Sequence, residues 1–97
     1  MFAILVYDIP SDEAGLKRRN RIYKKCSLYG YHVQNSVFEF DIEYSRLITL
    51  EHELSKVINC CEDSVRVYLL GKNRTDAKVH LLGRREFLES DDDSFIV

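Results

Sequence analysis

The chain has 97 residues, 45% of them apolar and 31% charged, with a formal net charge of −2, the composition of one globular domain and not of a disordered or fibrous chain. At this length the apolar area buried, at roughly 25 cal/mol per Å², barely offsets the chain entropy lost on folding, so a partner chain would help. No stretch is long enough to span a membrane, and residues 1–9 lack a basic leader and a small-residue cleavage site, so neither an anchor nor a signal peptide is expected and the protein reads as cytoplasmic.

Residues 2–9 (FAILVYDI) are apolar on both faces until Asp8, the pattern of a central strand covered by helices on one side and by something else on the other. Pro10 ends it. Ser11 or Asp12 then offers an N-cap oxygen, and a helix is predicted to about residue 29, where Gly30 supplies a stop. Its apolar positions, Leu16, Ile22, Tyr23, Cys26 and Tyr29, recur at three- and four-residue spacing and leave Lys17, Arg18, Arg21, Lys24 and Lys25 outward. Residues 32–42 (HVQNSVFEFDI) alternate after a break at Asn35-Ser36, which predicts two short strands or one strongly bent one.

Residues 43–60 set Leu47, Leu50, Leu54, Val57 and Ile58 on one face with Glu51, Glu53 and Lys56 opposite, an amphipathic helix that Glu62-Asp63 breaks. Residues 64–70 (SVRVYLL) alternate as a strand with one core face, closed by Gly71. The order β-α-β-β-α-β is the ferredoxin-like arrangement, an α+β fold with both helices on one face of an antiparallel sheet and the other face bare. After a polar turn, an extra C-terminal strand at residues 79–82 has no obvious slot in a four-stranded sheet, and a second subunit could pair with it. The division is therefore a folded domain over residues 1–83 and an acidic tail over residues 84–97, which carries two arginines against five acids.

Asp8 is the one carboxylate in an otherwise apolar strand, placed at the carboxyl edge of the sheet. Two readings fit it: an acid that caps a helix or satisfies loop amides, and a metal ligand. Mg²⁺ takes one or two protein carboxylates and fills its remaining positions with water and phosphate oxygens, so two such acids related by a dimer axis would suffice. The basic run Lys17, Arg18, Arg19, Arg21, Lys24 and Lys25 could grip phosphates, although a run of this kind on a helix is usually a solvated face. Tyr7, Tyr31 and Phe38 could stack on bases or fill the core. His32, His52 and His80 show no metal-ligand spacing, and Cys26, Cys60 and Cys61, odd in number and without CxxC spacing, read as reduced thiols.

Together, VYDIP (residues 6–10), RRNR (18–21), YG with VQNSVFE (29–30 and 33–39) and EDSVRVYLLG (62–71) resemble the CRISPR-associated protein 2 family, and the order and spacing of the four make the resemblance specific. The resemblance implies a homodimer through facing sheets, in which Asp8 and its symmetry mate hold Mg²⁺ or another divalent cation such as Mn²⁺, with endonuclease activity on RNA or DNA. It places Tyr7, Arg19, Arg21, Ser36 and Phe38 on positions associated with the site, and His32 where many members have Arg, which would make phosphate binding pH-sensitive if that position contacts phosphate. It also implies a cellular role in spacer acquisition, bridging integrase dimers of CRISPR-associated protein 1 on captured DNA. There the tail, tipped by Phe95, Ile96 and Val97, would dock by adding a strand, the other reading of the tail being a frayed terminus. The competing function is a stand-alone toxin-type endoribonuclease of the same fold. A ferredoxin-like regulatory domain ranks last because the four glycines form no ligand loop.

Overall fold

The computed structural model describes residues 1–70 and 78–84. Seven elements follow in chain order: β1 (Phe2–Asp8), α1 (Glu13–Ser27), β2 (Tyr31–Gln34), β3 (Val37–Asp41), α2 (Tyr44–Val57), β4 (Ser64–Leu70) and β5 (Lys78–Gly83). The strands form one antiparallel sheet in the order β2-β3-β1-β4-β5. Its first four strands have the ferredoxin-like order, with β1 central as its run of apolar residues predicts.

Alternation along β1 sends Ala3, Leu5 and Tyr7 to the helix side, where they meet Ile22 and Cys26 of α1 and Leu47, Leu50 and Leu54 of α2 in the main core. The opposite face carries a smaller apolar group, Val6 with Ile4, Val37 and Tyr68. No helix among the described residues is long and apolar enough to cross a membrane.

Asp12 is the N-cap of α1, its carboxylate accepting from the Gly15 amide at 2.7 Å. The helix ends at Ser27, two residues short of the predicted end, because the Leu28, Tyr29 and Gly30 amides all turn back onto the Lys25 and Cys26 carbonyls. Leu16 and Tyr23, expected on the buried stripe, are instead 48% and 40% exposed.

Between β2 and β3 the chain makes a hairpin with a register shift between His32 and Gln34, and Asn35 takes a left-handed φ of 38°. Asn tolerates that conformation better than most side chains.

Two expectations are corrected by the packing. Glu51 is buried, not outward: it lies one turn after Leu47 and so shares the core stripe of α2. It is held there by His80 of β5, whose Nδ1 is 2.8 Å from Oε2. The final strand does find a slot in its own chain, at the free edge of β4, in register from Ser64↔Gly83 to Leu69↔Lys78.

Candidate functional site

Asp8 closes β1 on the sheet face away from the helices, continuing the Ile4 and Val6 side of the strand. It does not cap α1, since Asp12 does so. Its carboxylate is 45% exposed and accepts a charge-assisted bond from Arg84, with Nη2 to Oδ2 at 2.6 Å. Arg84 is fixed by its surroundings: Nε donates to the Glu62 carbonyl at 2.8 Å, its amide donates to the Asp63 carbonyl at 2.8 Å, and its own carbonyl accepts from Ser64 Oγ at 2.9 Å. Register explains the meeting. Asp8 pairs with Ser64 and Ser64 with Gly83, so β1 and β5 run parallel and finish at the same sheet end, one residue before Arg84.

Sequence reasoning missed Arg84, because the contact depends on β5 taking the edge beside β4. It also missed Asp63, read only as a helix breaker. Asp63 is fully buried and accepts two bonds from Arg18, Nε to Oδ2 at 2.7 Å and Nη2 to Oδ1 at 2.9 Å, together with the Asn59 amide at 2.8 Å. The Arg18 guanidinium is held protonated chiefly by its hydrogen bond to Asp63. A bidentate, 16%-exposed guanidinium with this partner is a structural pin between α1 and the α2–β4 turn, so Arg18 is drawn away from phosphate binding.

The other expected residues lie round the strand end, on the helix side. Tyr7 is buried against Phe38, with ring centroids 6.4 Å apart, and burial pushes its hydroxyl above the ordinary value of 10.0. Phe38 is entirely in the core, where it supports neighbouring rings and presents no face to a base. Ser36 accepts the Tyr7 amide through its carbonyl at 3.1 Å. His32 stands at the edge with Nε2 2.7 Å from the Asn35 carbonyl, and because a carbonyl only accepts, Nε2 carries the proton.

Arg19 lines two neighbouring clefts of about 360 Å³ each, one shared with Asn35 and Ser36, the other with Tyr7, Tyr23 and His32 among its walls. Arg21 is exposed on α1, and Tyr31 is 76% exposed on β2. The tail residues Phe95, Ile96 and Val97 lie outside the described residues. Within one chain, then, the predicted site is divided. Asp8 belongs to the bare sheet face, and Tyr7, Arg19 and His32 belong to the helix side of the same sheet end.

Comparison with known proteins agrees with this architecture. The family model described as CRISPR associated protein Cas2 matches residues 1–79. A relative from Halalkalibacterium halodurans, "CRISPR-associated endonuclease Cas2", is 37% identical over 93 residues, covering 95% of this chain and 96% of its own. Another from Rhodospirillum rubrum, "CRISPR-associated endoribonuclease Cas2 3", is 41% identical over 71 residues, covering 72% and 75%. The solved structure of Streptococcus pyogenes Cas2 at pH 6.5 superimposes with a TM-score of 0.71 at 40% identity, covering 75% of this chain and 89% of that one. The chain belongs to the Cas2 family of CRISPR-associated proteins.

Proposed function

We propose that this Cas2-family chain acts as a homodimer in CRISPR adaptation and hydrolyses phosphodiester bonds of RNA or DNA, with Asp8 as its metal-binding acid. The observation that carries the reading is the position of Asp8, a partly exposed carboxylate at the end of the central strand, on a sheet face that carries an apolar group beside Glu39 and Arg66.

That face argues for the dimer. Ile4, Val6, Val37 and Tyr68 form its centre, and Phe2 and Val79 are 41% and 49% exposed at its margins. Sheets of this kind bury such faces against one another at a spacing of about 10 Å. A two-fold axis across it would give every Asp8 a symmetry mate.

At the end of β1 one chain offers the single carboxylate of Asp8, and no group of three or more His, Cys, Asp or Glu side chains suited to a metal exists among the described residues. That donor set fits Mg²⁺ or Mn²⁺ only when a second copy adds its own Asp8 and water or phosphate supplies the rest. A divalent cation so held supplies charge neutralisation for the phosphate under attack. Asp8 would exchange its Arg84 contact for the ion, and Arg19, on the helix side of the same sheet end, would bind a phosphate further along the strand.

In the cytoplasm the same dimer would bridge the CRISPR-associated protein 1 integrase on captured DNA, with the tail as the docking segment. The names of the two relatives, one an endonuclease and the other an endoribonuclease, make the nucleic acid the variable to test. Purified wild type and Asp8→Asn are incubated with Mg²⁺ and either labelled single-stranded RNA or double-stranded DNA. Cleavage by the wild type that Asp8→Asn abolishes is the expected result, and equal cleavage by both removes Asp8 from the chemistry.

A further inference from the structure

We propose that the cleft between α1 and β2 is a pocket for one unpaired nucleotide, its base lying against Leu16 and Tyr23 and its phosphate at Arg19. The proposal rests on the nucleic-acid-processing reading above and deepens it by naming the place on the chain where a base would be held.

The first observation is an apolar surface without a cover. Leu16 and Tyr23 project from α1 at 48% and 40% exposure, on the flank that faces β2, although their spacing belongs to the helix's apolar series. Large apolar side chains left together in a concavity mark a binding surface more often than a packing fault. The cleft measures about 360 Å³, near the small end of the roughly 300–1,000 Å³ typical of ligand sites, which suits one nucleotide and not a duplex.

Rigidity is the second observation. The His32 ring is pinned by its Nε2–H bond to the Asn35 carbonyl, stands edge-on to Tyr23 at 5.0 Å and 73°, and rests 5.1 Å from Phe38. Phe38 in turn packs 5.5 Å from Tyr23. Tyr23 and His32, backed by the buried Phe38, make a preformed aromatic wall, and a preformed wall costs little to order when a planar base stacks on it.

Charge decides the class of ligand. Arg18 is consumed by Asp63, whereas Arg19 makes no ion pair among the described residues and lies on the boundary between this cleft and the more polar one lined by Asn35 and Ser36. An apolar aromatic slot beside a polar slot, with one unpaired guanidinium between them, matches a base joined to its phosphate. An apolar peptide would leave the cation unused. Lys17, Arg21 and Lys24, exposed on the same helix, add positive charge around the entrance. The Asn20 and Asn35 amides can donate to and accept from a base edge, and the Tyr7 hydroxyl, kept protonated by burial, can donate.

The cleft also lies at the correct end of the sheet. Tyr7 is one of its walls and Asp8 is the next residue, directed to the opposite face, so a strand seated here passes the end of β1 that carries the acid. A nucleotide can occupy such a pocket only when unpaired or turned out of a duplex.

The test uses the full chain without divalent cations, so that binding is separated from cleavage. Anisotropy of a fluorescein-labelled single-stranded oligonucleotide and of the same strand in a duplex is followed for wild type, Leu16→Ala, Tyr23→Ala and Tyr23→Trp. Single-strand affinity should fall about tenfold in the two alanine variants, duplex affinity should be unchanged, and Tyr23→Trp should bind like wild type. In parallel, adenosine 5′-monophosphate added to ¹⁵N-labelled wild type should shift the amides of Tyr23, His32 and Asn35. Equal single-strand binding by wild type and both alanine variants overturns the pocket, as does loss of single-strand and duplex binding in the same proportion. Shifts confined to Lys17, Arg21 and Lys24 overturn it as well, and this measurement needs no variant to fold. Asp8-dependent cleavage surviving any of these results would leave the nuclease reading standing and the pocket alone refuted.

Discussion

Replacing Asp63 with Ala should be among the most damaging single changes in this protein. The carboxylate has no exposure, accepts both Arg18 bonds and the Asn59 amide, and joins α1 to the turn before β4. Losing the acceptor of charged hydrogen bonds costs about 1.5–3 kcal/mol, and the fully buried ion-pair figure does not apply because Arg18 keeps contact with solvent and has Glu62 3.8 Å away. For a domain of this size about 4–8 °C of melting temperature corresponds to each kcal/mol, so the lower ends of both ranges already give a fall of about 6 °C. Thermal unfolding by circular dichroism, at one protomer concentration for every variant because dimerisation would contribute to stability, measures it. Arg21→Ala, a change at an exposed position on the same helix, is the control and should melt within about 2 °C of wild type. An Asp63→Ala protein that melts within the same margin would refute the assignment of Arg18 and Asp63 as a structural pin.

Three further outcomes are expected. Arg84→Ala, by freeing Asp8 Oδ2, should raise Mn²⁺ affinity severalfold in a calorimetric or paramagnetic titration, and unchanged or weaker binding would show that Arg84 does not compete with the ion. Gly83→Ala should lower the melting temperature by about 4 °C or more, since φ is +87° and a Cβ would run into the Asp63 carbonyl oxygen. Burial pushes the Cys26 thiol from 9.0 to about 12. The unfolded thiol therefore ionises first, and stability that is fully present below about pH 9 declines as pH rises towards 12. A urea midpoint that falls between pH 8 and 10.5, and falls less steeply in Cys26→Ala, checks the sign; in native protein a thiol reagent should meanwhile titrate Cys60 and Cys61 but leave Cys26 unreacted.

Local chemistry was legible where one element decides it. The unbroken apolar run of β1, the leucine stripe of α2 and the alternation of β4 each require a particular periodicity, and those strands and helices stand where the sequence puts them. What escaped depends on distant elements. Glu51 carries the charge of a surface residue and the position of a core residue, and only His80, on a strand 29 residues later, resolves the conflict in favour of burial. Leu16 and Tyr23 obey the helix period yet remain exposed, because β2 is short and at the sheet's edge and therefore cannot cover them. Asp8 was conspicuous in the sequence, whereas its counter-ion was not, since Arg84 reaches it only through the registers of two strand pairs.

Those registers connect the basic helix to the strand-end acid by a route different from a shared phosphate. Asp63 binds Arg18 through its side chain and the Arg84 amide through its carbonyl, and Arg84 then reaches Asp8. One buried residue thus fixes both the seat of α1 and the arginine that neutralises Asp8. The two links are separate, since the first runs through the Asp63 carboxylate and the second through its main-chain carbonyl, and no basic residue of α1 contacts Asp8 among the ion pairs of the described residues. Asp63→Ala removes the first link and keeps the second, so it should cost stability and leave the Asp8 face as it is. At a temperature where Asp63→Ala remains folded, its Mn²⁺ affinity should match that of wild type, because the main-chain carbonyl of residue 63 still holds the Arg84 amide and the Glu62 carbonyl still holds Arg84 Nε. A rise like that of Arg84→Ala would mean that the seating of α1 reaches Asp8 through the backbone at Asp63.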